Sequence, residues 1–149
     1  PEGALGDPRH PKLGWRFYSK DAKKFDQPIN WTKLRVDYVI PEYGSELTNE
    51  SYILEMGFER LHGVDFKKGC YVGQEVTARM KHKTELRKGL VKILSQHEIS
   101  NGEELFFDDK SIGSILTTYG KSALAYVRLK DRDAILYTKT SKKIVIVKD

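Results

Sequence analysis

The sequence predicts an α+β fold in two parts: a helix-and-loop region over residues 1–83 and a small antiparallel β-barrel over residues 84–149. Three observations carry this. Trp31 to Ile40 has helical spacing behind a polar cap. After Lys83 the chain breaks into short alternating or β-branched runs separated by turn residues. Between the two patterns lies Lys67 to Arg79, where Gly69 and Gly73 bracket Cys70, the only cysteine in the chain.

Taken in order, residues 1–14 carry Pro1, Pro8 and Pro11 with Gly3, Gly6 and Gly14, which predicts an extended loop. Trp15-Arg16-Phe17-Tyr18 reads as a strand. Arg9 and Arg16 suit either an anionic ligand or surface ion pairs, the second being the more ordinary role. Asp26 or Asn30 caps the helix over Trp31 to Ile40, with Trp31, Leu34, Tyr38 and Ile40 on its packed side and Pro41 at its end. Leu54, Phe58 and Leu61 suggest a partly helical Ser51–Leu61, interrupted by Gly57. Glu55 there is equally a cleft-lining carboxylate or a solvated one. Gly63 to Phe66 reads as a turn plus strand leading into the cysteine segment.

From Gln74 to Lys83 no proline or glycine intervenes, so a short helix is expected. Glu75 and Arg79 are placed four apart for an ion pair and share a face with His82, while Val76 and Met80 share another. Cys70 then precedes a helix start beside Lys67 and Lys68, and both features favour thiolate over thiol. The competing reading is an ordinary buried cysteine. In the barrel region the expected strands are Leu86–Leu94, Glu104–Phe107, Ser111–Tyr119, Ala123–Leu129, Ala134–Thr138 and Lys142–Lys148. Ile144 to Val147 is apolar on both faces and so is expected to be covered on both. About six strands over ~65 residues suit a closed sheet, since closure removes exposed edges.

Bulk composition narrows the function. Hydrophobic residues at 39% and charged residues at 32% fit a folded globular chain. No stretch approaches the ~20 apolar residues of a membrane helix, so no membrane partner is expected. A lone cysteine forbids an internal disulfide and fits a reducing compartment. His10, His62, His82 and His97 are scattered without ligand spacing, and no metal site is expected. No serine sits in a nucleophile-elbow pattern. The net charge of +5 attracts anions only mildly. Arg79, Lys81, Lys83, Arg87 and Lys88 form a basic run that suits RNA or simply a solvated face, the second being the more ordinary.

Lys68-Gly69-Cys70-Tyr71-Val72-Gly73-Gln74-Glu75 with Thr77-Ala78-Arg79 resembles the signature of the YgfZ-type folate-binding proteins, relatives of the glycine-cleavage T-protein. Asp7-Pro8-Arg9, Leu13 to Arg16, Pro41-Glu42, Leu54 to Phe58, Gly63 to Phe66, Arg87 to Leu90 and Ala123 to Arg128 extend the similarity along nearly the whole chain. The resemblance implies the C-terminal part of a T-protein-like folate-binding α/β region over 1–83 and the family's C-terminal barrel over 84–149. The family is roughly twice this long, and the chain begins at Pro1, so a missing N-terminal half is expected. The implied role is a folate-binding accessory protein in iron–sulfur cluster assembly or maintenance, supporting cluster-dependent enzymes such as tRNA-modifying ones. Cys70 is then the reactive thiol, tuned by Lys68, and Glu55, Tyr71, Gln74, Glu75 and Arg79 contact tetrahydrofolate or a partner. Expected partners are iron–sulfur enzymes or assembly proteins, the absent half and, weakly, tRNA. The expected compartment is the cytoplasm, or the mitochondrial matrix in a eukaryote. The alternative is a tetrahydrofolate-dependent aminomethyltransferase-like one-carbon transferase. T-proteins carry arginines where this chain has Asn49 and Ile53, and an apolar Ile53 cannot pair with a folate carboxylate, which weighs against that activity.

Overall fold

The computed structural model describes residues 3–20, 28–83 and 85–147. Pro1, the alternative cap Asp26, the boundary residue Thr84 and Lys148 lie outside the described residues. Six strands form a closed antiparallel barrel: β3 (Lys88–Ser95), β4 (Glu104–Phe107), β5 (Lys110–Tyr119), β6 (Ser122–Arg128), β7 (Leu136–Thr138) and β8 (Lys143–Ile146). They run β3-β6-β5-β4-β7-β8 around the barrel, and β8 pairs back onto β3. The core follows the period-2 rule: Ile93, Leu105, Ile115, Ala123, Ala125, Val127, Leu136 and Ile144 are completely buried. The β4–β5 hairpin turns through Asp108 and Asp109, both with positive φ (47° and 59°), the conformation that suits a two-residue hairpin loop.

The region before the barrel is more irregular than its sequence suggests. Its opening segment is a small hairpin of β1 (Leu5–Gly6) and β2 (Trp15–Arg16) around a 3₁₀ turn at Pro11–Leu13. The strand stops at Arg16, and Trp15 and Tyr18 lie largely in solvent. Segment 51–61 is a series of turns with no α-helix, because Gly57 takes φ 78° and breaks the helical path. Gly63 to Phe66 has no strand partner; instead the Asp65 carboxylate accepts the Lys67 N–H at 2.8 Å and turns the chain.

Helix α1 spans Trp31–Tyr38, with the Asn30 side chain accepting the Lys33 N–H at 2.8 Å. It ends at Val39, whose left-handed backbone (φ 51°, ψ 55°) is costly for a β-branched residue. The Arg60 guanidinium holds this corner by donating to the Tyr38 and Val39 carbonyls at 3.2 and 2.7 Å. Leu34 and Tyr38 pack with Leu13, Ile40 and Leu61. Trp31 does not pack as expected and is 47% exposed, because the inward face is set by Arg35, Val36 and Val39. Val36 and Val39 cover Leu124 on the outside of β6. The strand covered on both faces is therefore β6, where Ala123, Leu124 and Ala125 are all buried. Strand β8, expected in that role, alternates: Ile144 and Ile146 are buried and Val145 is exposed, because α1 lies over β5 and β6 instead.

Asp7 ties the opening hairpin together and accounts for both nearby arginines. Its side chain is buried and accepts from Arg9 Nε and Nη2 at 2.9 and 2.7 Å, from the Arg9 N–H at 3.0 Å, and from Arg16 at 3.3 Å. The Arg9 side-chain hydrogen bonds, only partly opposed by desolvation, hold its pKa at about 2. The folded value lies below the ordinary carboxylate value, so the stabilisation is present at neutral pH and is lost as pH falls through about 2. It amounts to about 2 kcal/mol. Wild type and Asp7→Asn, compared by denaturant unfolding, should differ by about that much above pH ~5. The gap should close towards pH ~2, whereas a pH-independent gap would contradict the assignment.

Candidate functional site

The cysteine segment is a loop anchored on both sides of Cys70. On the upstream side, the Asp65 turn fixes Lys67. Downstream, the Gln74 side-chain oxygen accepts the Tyr71 N–H and the Tyr71 carbonyl accepts the Gln74 N–H, both at 3.2 Å. This reciprocal clasp closes the turn through Gly73, whose φ of 83° favours glycine, and starts helix α2 (Gln74–Lys83). Lys68 Nζ stands 5.1 Å from the Tyr71 ring centroid, within cation–π range. Cys70 is exposed between these anchors, so the reading of a buried structural thiol does not hold.

Lys68 and Tyr71 line an open cleft of about 320 Å³ with Ile53, His62, Val64 and Asp65. The remaining candidates are placed differently. Gln74 is engaged in the clasp, and Glu75 pairs with Arg79 at 2.7 Å on the solvent face of α2, as the four-residue spacing predicts. Glu55 does not line the cleft. Its carboxylate accepts a hydrogen bond from the Tyr126 hydroxyl, and its carbonyl accepts the Leu90 N–H at 2.9 Å. Glu55 thus joins segment 51–61 to strands β3 and β6. Burial, with the adjacent Glu55 carboxylate, pushes the Tyr126 hydroxyl well above the ordinary tyrosine range.

Helix α2 does not rest on Val76, which is 50% exposed; Thr77 is its buried residue. His82 packs edge-on against Phe66 with centroids 6.2 Å apart, and Lys81 sits over the same ring and pairs with Glu59. His62, Val64 and Asp65 were missed as cleft residues. The available signal was Gly63, where a Cβ would lie 2.7 Å from Phe58 Cδ1 and which therefore marks a close-packed turn. Among the described residues no group of three His, Cys, Asp or Glu side chains converges as a metal site, and no helix is long and apolar enough to cross a membrane.

Comparison with known proteins agrees with this arrangement. The CAF17 C-terminal β-barrel domain matches residues 87–145, nearly the span of the closed barrel. The mitochondrial iron–sulfur cluster assembly factor IBA57 of Mus musculus is 29% identical over 157 aligned positions, covering 95% of this chain and 44% of that protein. An IBA57 homologue of Mycosarcoma maydis is 36% identical over 94 residues, covering 57% of this chain and 23% of its own length. The tRNA-modifying protein YgfZ of Aliivibrio fischeri is 27% identical over 108 residues, covering 71% of this chain and 33% of its own length. The chain thus spans less than half the length of each of these relatives. The barrel matches the CAF17 C-terminal domain, and the chain as a whole is similar to IBA57- and YgfZ-type proteins.

Proposed function

We propose that the protein containing this chain is a folate-binding accessory factor in iron–sulfur cluster assembly or maintenance, with Cys70 as its reactive thiol. In this reading residues 1–83 are the C-terminal part of a T-protein-like folate-binding region and residues 84–149 are the barrel that buttresses it. Its partners are iron–sulfur enzymes or assembly proteins, among them enzymes that modify tRNA, and it works in a reducing compartment, the mitochondrial matrix in a eukaryote. The observation that carries the reading is an exposed cysteine on a loop pinned by Asp65 on one side and by the Tyr71–Gln74 clasp on the other. Such a loop presents its thiol at a fixed place at little further entropic cost on binding. A single thiol supplies at most one of the ligands a cluster needs, so the partner or the rest of the protein provides the others.

The cleft beside Cys70 fits one end of a folate. Its volume is near the lower bound of ligand pockets, with Tyr71 offering an aromatic face and Lys68 a cation for a carboxylate. Bound tetrahydrofolate would supply a carrier for one-carbon units. In this chain Lys68 would hold its anionic group, Gln74 would orient Tyr71, and the Glu75–Arg79 pair would stiffen the helix behind them. Ile53 lines the same cleft, so the arginine expected of a T-protein is replaced there by an apolar side chain. That favours the accessory role over an aminomethyltransferase-like one-carbon transferase.

The test is complementation of cells lacking the full-length protein, read as the activity of a cluster-dependent tRNA-modifying enzyme. Cys70→Ala is expected to fall to the level of cells without the protein, and full rescue by it would remove the thiol role. In parallel, purified full-length protein titrated with tetrahydrofolate should bind it without turning over a one-carbon donor; turnover would support the transferase instead.

A further inference from the structure

Arg87, Lys88, Arg128, Lys130 and Arg132 line a single open cleft of about 850 Å³, with Glu85 as its one carboxylate. The first two stand where β3 begins. The others stand at the end of β6, in the 3₁₀ turn that follows (Leu129–Asp131), and at Arg132 just after it. Sequence order separates these groups by about forty residues, and the β3–β6 ladder brings them together by setting Lys88 directly opposite Arg128. Like charges opposed across an antiparallel pair destabilise a sheet. Among the described residues none of the five cations has a carboxylate within ion-pair distance, and only Lys88 has an aromatic partner, the Tyr126 ring at 5.5 Å. By contrast, Arg79 and Lys81 on α2 pair with Glu75 and Glu59. Five cations without a carboxylate partner thus share one cleft at this end of the barrel.

We propose that this cleft binds single-stranded RNA. A second cleft, of about 290 Å³, shares Lys88 and Arg128 with the first and adds Ser111, Ser114 and Glu104, so the surface is a continuous track. A track of cations suits a polyanion, and the three guanidinium groups suit bidentate contacts to phosphate. Leu86 and Leu129 give it an apolar floor. Glu85 in the first cleft and Glu104 in the second can accept hydrogen bonds from base amino groups, contacts that the side chains of an acidic peptide cannot make. This site is remote in function from the Cys70 loop and does not depend on the folate reading.

The experiment is fluorescence anisotropy of the full-length protein with a labelled single-stranded RNA of about a dozen nucleotides, a length within the usual range for one binding site. Log affinity should fall with log salt with a slope of about −3, as expected for four or five phosphate contacts. The paired change Lys130→Glu/Arg132→Glu lies in an exposed turn and should weaken binding at least tenfold. Lys121→Glu and Lys143→Glu, elsewhere on the barrel, should change it less than about twofold. Arg128→Glu should weaken binding while raising Tm by about 1–2 °C, because it replaces a repulsive cross-strand pair with an attractive one. A merely structural arginine would not show that split. The proposal is overturned by no binding, by a slope near zero, or by equal losses at the cleft and control positions. Competition by a polyglutamate peptide as strong as by unlabelled RNA would overturn it as well.

Discussion

Arg35→Met is expected to destabilise the chain by about 3–5 kcal/mol, the range for breaking a buried ion pair from one side. The Arg35 guanidinium is almost wholly buried, and the Glu46 carboxylate it faces is 0% exposed. Arg35 donates to both Glu46 oxygens at 3.3–3.4 Å, to Glu42 at 2.9 Å and to Thr117 Oγ1 at 3.4 Å. Glu46 also accepts the Glu42 N–H at 2.9 Å and the Thr117 hydroxyl. Removing the arginine leaves a carboxylate without its cation in a place water does not reach. Because helix α1, the following loop and barrel strand β5 meet at this pair, the loss should uncouple α1 from the barrel and expose Leu124. In thermal unfolding the shift should be of order 10 °C. The double change Arg35→Met/Glu46→Leu should recover most of it, since a buried ion pair is worth little against apolar side chains of similar size. A single-variant loss below about 1 kcal/mol would show that the pair is solvated and the account wrong.

The bulge in β5 explains why Thr117 can take part. Ile115 faces inward and pairs with Ala125, so a regular strand would also turn Thr117 inward. The register shift between them leaves Leu116 as the extra residue, and Thr117 pairs with outward-facing Leu124 instead. The strand's alternation in sequence gives no hint of this, because Ser114 to Thr118 carries side chains compatible with either face. The six barrel strands, by contrast, were legible. Turn residues such as Asn101-Gly102 and Asp108-Asp109 separate them, and strand periodicity needs only local sequence.

Much the same division runs through the candidate site. The Glu75–Arg79 pair and the helix after Gly73 depend on residues within one helical turn of each other and could be read directly. The cleft walls could not, because Ile53 and His62 reach Lys68 only through the turns of segment 51–61. Glu55 illustrates the limit: its hydrogen-bond partner, Tyr126, lies 71 residues away on β6 and no local pattern points to it. Trp31 was misplaced for a related reason. An aromatic stripe has the helical period whichever face is covered, and here the barrel claims the face of Arg35 and Val36.

Gly113→Ala should be as damaging as the loss of Arg35, although it adds a single methyl group. A Cβ at this position would lie 2.1 Å from the Tyr126 carbonyl oxygen, 2.8 Å from Val127 Cα and 2.9 Å from Val127 Cγ1. Two of these three atoms are backbone, so no rotamer change relieves the clash; strands β5 and β6 must separate where Gly113 pairs with Val127. The expected cost is about 3 kcal/mol or more, the upper end for overpacking. Tyr126 would shift with its strand and loosen its bond to Glu55, so loss of protection at the Leu90 amide in hydrogen exchange should accompany the drop in stability. Gly69 beside Cys70 provides the contrast. Nothing lies within 4 Å of a Cβ built there, and its φ lies outside the left-handed region. Gly69→Ala should therefore leave stability within about 0.5 kcal/mol of wild type. If Gly113→Ala proved equally mild, the close approach of β5 and β6 would be wrong. If Gly69→Ala kept its stability yet failed in complementation, the defect would lie in what meets the cysteine loop, because the fold places no demand on that glycine.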